Sequence, residues 1–373
     1  MDNNNNQDYA DLREGFISDF APNVPPPHDN THIGKPNFAP KHSNLFMLIL
    51  VLTNIFLQFM LIIVFAVMMI TSPTHTAESL AAAIPSWVQM LGSQVLMLGV
   101  PCTIYLIIKR KYIREILPFR RLGWRNVLMV SGLTIAMIPL LGVVNAVSQL
   151  VFPNVIAEAM VGVLAEGGLW LSLMIFAIVP PFFEEIAFRG IGFVGFKQVK
   201  IGIAAFINGL IFGALHMNMN QFIYAFAGGV IFCYMMYYTK SIWAPILSHF
   251  IINAYGAVMT FFLIETDLSY LAATTTQVEL NLGGAEVIIT VIVMGVITLV
   301  FLAAFIAIYI PFKRHNIKRN EAEGIVTDTA AAAREAGLRP PRAFTWAAWV
   351  SVVFFVMIMS LIYIIFPLME TML

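Results

Sequence analysis

Apolar residues come in long unbroken runs along this chain, and the polar residues gather between them. Nine runs can be drawn: Leu45 to Ile70, Trp87 to Ile108, Asn126 to Phe152, Gly168 to about Lys197, Ile201 to Met217, Gln221 to Tyr238, Ile242 to Ile264, Val287 to Phe312 and Ala343 to Phe366. Most are long enough, at ~1.5 Å per helical residue, to approach or cross a hydrocarbon core of ~30 Å. The alternation of a barrel strand is absent, and a segment in lipid must satisfy its own backbone. The expected fold is therefore all-α: a polytopic transmembrane bundle of about nine helical spans.

Residues 1–44 break the pattern. They are polar and irregular, with Asn3 to Asn6, Gln7 and the triple proline Pro25-Pro26-Pro27. They read as a disordered cytoplasmic tail with no apolar stretch suited to a signal peptide. The expected organisation is this tail, three accessory helices over 45–152, a four-helix core over 168–264, and two accessory helices over 287–366 with a cytoplasmic loop at 313–342.

Basic residues orient the spans, because Lys and Arg are retained on the cytoplasmic side. All 21 fall in the tail and the even-numbered connections, if Arg189 is counted with the fourth. The dense clusters run from Lys109 to Arg125 and from Lys313 to Arg342. This segregation places the N-terminus inside and the C-terminus outside, and the acidic loop with Glu265, Asp267 and Glu279 outside as well. The expected location is the cell (plasma) membrane, and the basic clusters are topology anchors that touch anionic lipid.

Composition agrees: 59% of residues are hydrophobic and 11% charged, with zero net charge. No global field favours nucleic acid. Cys102 and Cys233 stand singly in apolar runs, so the sequence offers no disulfide framework and no CxxC metal site.

Ionisable side chains inside spans are costly and mark functional candidates. Here they gather in the fourth, fifth and seventh runs. Pro180-Pro181 precedes Glu184 and Glu185, and two prolines in a row force a helix to kink or restart. Glu185 and Arg189 are spaced i, i+4 as an ion pair, whereas Glu184 points roughly 100° away, free to face a cavity as a general base. The bland alternative is a snorkelling helix end. In the fifth run Gly209 and Gly213 form a small-xxx-small strip, Phe212 can wall the ring of His216, and His216 alone would read as a packed histidine. His249 and Asn253, again i, i+4, suit either interhelical hydrogen bonding or donation to an oxyanion.

Glu184-Glu185-xxx-Arg189, Phe212-xxx-His216 and His249-xxx-Asn253, in that order, resemble the three motifs of the CPBP family (CAAX protease and bacteriocin-processing, also called Abi). These are intramembrane proteases related to the type II CAAX prenyl endopeptidases. The resemblance covers roughly Leu169 to Tyr255, with Gly190 and the stretch Ser241 to Ile246 also matching. It implies an endopeptidase that cleaves membrane-associated peptide or protein substrates. Glu184 and His216 would polarise a water, His249 and Asn253 would stabilise the oxyanion, and Glu185 with Arg189 would hold the motif helix, Phe212 standing beside His216.

A metal is left open. Glu184, His216 and His249 would suit a divalent ion such as zinc, but they come from three helices and no HExxH helix exists; a metal-free glutamate mechanism is the favoured expectation. Two other classes compete: a noncatalytic bacteriocin-immunity or scaffold protein with the same fold, and a proton-coupled transporter, against which the lack of an internal repeat counts. The partners expected are membrane lipids and the peptide or membrane-protein substrate. A water-filled chamber open to the cytoplasm is the expected setting of the site.

Overall fold

The computed structural model describes residues 37–71, 84–266 and 284–365. The helices in chain order are α1 (Pro40–Thr71), α2 (Ser86–Ile108), α3 (Trp124–Gln149), α4 (Ile156–Val194), α5 (Ile201–Leu215), α6 (Met219–Thr239), α7 (Trp243–Glu265), α8 (Gly284–Ala322), α9 (Thr329–Glu335) and α10 (Trp346–Ser360). Among the described residues 8 helices are long and apolar enough to cross a membrane. The chain is an integral, multi-pass membrane protein, and large apolar side chains such as Phe56 and Phe59 on α1 and Leu299 and Val300 on α8 face outward. Lipid is the solvent those faces fit.

The count differs from the expected nine at α5. This helix has 15 residues, so it rises only about 22 Å, short of the hydrocarbon thickness. It stops at His216; Met217 then takes a left-handed backbone conformation (φ 48), and the Asn218 side chain caps α6 by accepting from Gln221 N at 2.9 Å. The apolar run extends to Met217 in the sequence, but Met217 and Asn218 turn the chain and end the helix before it.

Other boundaries shift for equally local reasons. The expected tail lies outside the described residues as far as 36. Its last residues, 40–44, instead open α1, where Ser43 and Asn44 are buried; the Ser43 hydroxyl donates to Ile191 O at 2.9 Å. Residues 155–166, expected as a connection, are helical, and the break falls at Gly167 and Gly168 (φ 68). Glu166 ends that piece and accepts from Ser86 N at 2.7 Å and Trp87 N at 3.2 Å. It thereby caps the start of α2 with a carboxylate, the charge a helix N-terminus favours. Helix α8 runs on through Lys313, Arg314, Lys318 and Arg319 to Ala322, so the first third of the expected cytoplasmic loop is helix, and α9 occupies part of the rest. Asn316 and Asn126 exchange side-chain bonds of 2.8 and 3.0 Å, which fastens this extension to α3. Asp267 and Glu279 lie outside the described residues.

Helices α5 and α6 form the tightest pair, α7 lies against α4 and α6, and α2 packs on α4. Outside this group α3 and α8 cover α6 and α7, while α1 and α10 cover α5. The small-xxx-small strip on α5 faces α6. A Cβ on Gly213 would come within 2.8 Å of Phe222 O, and one on Gly209 within 3.0 Å of Phe226 O, so only glycine permits this approach.

Candidate active site

Helix α4 is irregular where its acids sit. A π-helical stretch over Leu173–Ile178 precedes Pro180-Pro181, an α-helical piece over Val179–Glu185 carries both glutamates, and a second π-helical stretch follows over Ile186–Ile191. The missing proline donors explain the first widening, and π-turns of this kind cluster at functional sites.

Both glutamates converge on one imidazole. His249 Nδ1 lies 2.8 Å from Glu185 Oε1, and His249 Nε2 lies 3.8 Å from Glu184 Oε2. The expected separation of the two acids on different faces holds, but the ring spans the gap between them. Glu185 also accepts from Arg189 Nη1 at 3.0 Å, as the i, i+4 spacing predicts. Arg189 donates from Nη2 to Gly229 O at 3.0 Å, and its guanidinium stands 4.4 Å from the Phe212 ring centre and 5.1 Å from that of Phe232. It is fully buried. Arg189 therefore belongs to the protein interior and is no guide to the side on which its connection lies.

His216 closes α5. Its Nδ1 lies 2.9 Å from Phe212 O, and a carbonyl only accepts, so Nδ1 carries the hydrogen and the neutral ring keeps Nε2 as its acceptor. The Phe212 ring meets the His216 ring edge-on at 5.0 Å and the His249 ring edge-on at 6.0 Å, which walls both imidazoles. His216 is within electrostatic reach of Glu184 and His249. Asn253 donates from Nδ2 to Phe176 O at 2.9 Å, pinning α7 to the first π-stretch and leaving one amide hydrogen uncommitted.

Glu184 and His249 are each 7% exposed, whereas His216 and Asn253 are partly exposed. Three polar atoms of the site, Glu184 Oε2, Glu185 Oε2 and Arg189 Nε, are buried with no hydrogen-bond partner in the protein. Orphaned groups of this kind are rare in native interiors and common at reactive centres.

A side chain that the sequence reading passed over also joins the site. Gln94 of α2 reaches Glu184 Oε1 with its Nε2 at 3.4 Å. Its signal in the sequence was a single amide within an apolar span, which had no neighbour in the chain to give it meaning. As for a metal, among the described residues no three or more His, Cys, Asp or Glu side chains are grouped so as to hold an ion. Nδ1 of each imidazole is engaged by Glu185 or Phe212, which leaves Nε2 as the nitrogen each ring offers to the site.

A family model for type II CAAX prenyl endopeptidase Rce1-like proteins matches residues 166–255. The chain is also 32% identical over 115 residues to a protein of Bacillus subtilis (strain 168) whose name is "Putative membrane peptidase YdiL". That match covers 31% of this chain and 46% of the relative, so the chain spans less than half the length of the curated protein it matches. No solved structure matches. The matched segment, 166–255, carries both glutamates, Arg189, both histidines and Asn253, so the similarity to the CAAX endopeptidase family falls on the residues that build this site.

Proposed function

We propose that this protein is an intramembrane endopeptidase that hydrolyses peptide bonds in membrane-associated peptides or proteins. The observation that carries the reading is the bridging of Glu184 and Glu185 by His249, 3.8 Å and 2.8 Å away, all three side chains being buried. An imidazole flanked by two carboxylates is suited to moving protons.

In this reading Glu184 Oε2 and His216 Nε2 face the attacking water, and Glu184 takes its proton as the oxygen adds to the scissile carbonyl. His249 accepts that proton at Nε2 while Glu185 braces Nδ1, and the resulting imidazolium stabilises the oxyanion by donating from Nε2. The free amide hydrogen of Asn253 supports the same oxygen. Collapse of the tetrahedral intermediate expels the amine, which takes a proton back from the histidine or glutamate. Arg189 holds the Glu185 carboxylate in place. Each step uses side chains of this chain and one water; the products are a carboxylate and an amine.

The test is comparative proteomics of membranes carrying the wild type or Glu184→Gln. A peptidase leaves a substrate uncut only in the variant, with the variant folded and at normal abundance. Identical peptide termini in both membranes would sink the reading and leave a noncatalytic scaffold.

A further inference from the structure

We infer that Gln94, on a helix outside the family-matched segment, is a positioning residue for Glu184. The inference rests on the hydrolytic reading above and deepens it. Gln94 is 9% exposed in the middle of a membrane helix, with Nε2 3.4 Å from Glu184 Oε1. An ionised carboxylate accepts and cannot donate, which fixes the amide's orientation: nitrogen toward the acid, oxygen away.

Two further features separate this contact from ordinary helix-to-helix bonding. Gln94 Oε1 is buried without a partner in the protein, whereas an amide serving only as interhelical glue would have both ends satisfied. The helix around it is also shaped to approach the acid. Immediately after Gln94, α2 changes from α to π geometry over Val95–Gly99. A Cβ on Gly99 would lie 3.3 Å from the ring of Phe183, the residue before Glu184. Helix α2 is thus registered on the Phe183-Glu184 pair at two points, Gly99 and Gln94.

The consequence is a division of labour at the carboxylate. Gln94 holds Oε1, so that Oε2, the orphaned oxygen, is the one presented toward His249. Glu185 is held by Arg189, and Gln94 plays the corresponding part for Glu184 without adding a charge that would oppose its work as a base. This gives α2 a direct part in the chemistry, which the motifs of the matched segment do not supply.

The experiment compares Gln94→Met and Gln94→Glu with wild type in lipid nanodiscs, using a substrate found by the membrane proteomics and expressing kcat per folded molecule. Met keeps the length and removes the donor; Glu keeps the shape and sets a carboxylate against a carboxylate. Loss of one hydrogen bond to a charged group predicts a fall in kcat of about tenfold for Met, with KM changed by less than about twofold. Gln94→Glu falls at least as far. Wild-type kcat in both variants, or a fall confined to KM, overturns the inference. Glu184→Gln is run alongside: if it still cleaves, the hydrolytic reading has failed; if it is dead while the Gln94 variants are unimpaired, only the role of Gln94 has.

Discussion

Glu185 grips His249, its Oε1 lying 2.8 Å from the imidazole Nδ1, and the same oxygen accepts from Arg189 at 3.0 Å. The second motif glutamate is therefore the hub of a buried chain running from guanidinium to carboxylate to imidazole. Removing one partner of a buried ion pair strands the other, at a cost of about 3 to 5 kcal/mol. Glu185→Leu should accordingly lower the thermal stability of the detergent-solubilised protein by about that amount and abolish cleavage. A variant with the wild-type melting temperature would show that Arg189 does not depend on this carboxylate.

Helix packing sets the position of His216. Gly213 lies one turn earlier, where a Cβ would come 2.8 Å from Phe222 O and 3.2 Å from Phe226 N. Backbone atoms cannot step aside as a side-chain tip can, so Gly213→Val must part α5 from α6. Overpacking of this order costs about 1–3 kcal/mol and displaces the imidazole. Reduced stability and much reduced cleavage are expected together. Full activity in Gly213→Val would mean that the α5–α6 contact does not place His216.

At the basic end, Arg120 pairs with Glu323 at 2.7 Å and Arg319 with the same acid at 3.2 Å. Burial disfavours the Glu323 charge, but the two guanidiniums outweigh it, and its carboxyl sits below the ordinary 4.5. A depressed carboxyl pKa contributes stability that is present above the unfolded value and lost as pH falls through the folded one. The acid is half exposed, so solvent screening holds the contribution to no more than about 1 kcal/mol. Melting curves between pH 7 and 3 should show a loss of stability on acidification that is smaller in Glu323→Gln. An unchanged slope in that variant would remove Glu323 from the account.

Periodicity in the sequence reveals only what lies within one helix. The Glu185 and Arg189 pair, the Gly209 and Gly213 strip and the Phe212 wall beside His216 are all short-range relations on α4 or α5, and each is found in place. The contacts of His249 with Glu185 and of Gln94 with Glu184 join residues 64 and 90 positions apart, and no spacing rule reaches that far. The run from Ile201 to Met217 is near the lower limit for a span, and the left-handed Met217 and the Asn218 cap end its helix at His216, a backbone event that the apolar pattern up to Met217 does not show. Likewise, α8 was cut short at Phe312 because charge was read as the end of the helix, whereas Asn316, Arg319 and Asn320 find partners on α3, α6 and the segment before α3 and keep it helical.

The proposed mechanism, in which Glu184 alone activates the water, predicts the response to chelators. Cleavage should persist after exhaustive dialysis against a strong chelator, and elemental analysis of active protein should find no stoichiometric zinc. Activity lost on dialysis and restored by a divalent ion would contradict this.

The central claim is that Glu184 and His249, from separate helices, act as one hydrolytic unit, and a double-mutant cycle on cleavage tests it. Residues that share a step are not additive. Glu184→Gln and His249→Ala should each lower kcat/KM by a factor on the order of 10³, and the double variant should be no worse than the poorer single one. Losses that multiply in the double variant would show two groups acting independently and would contradict the account.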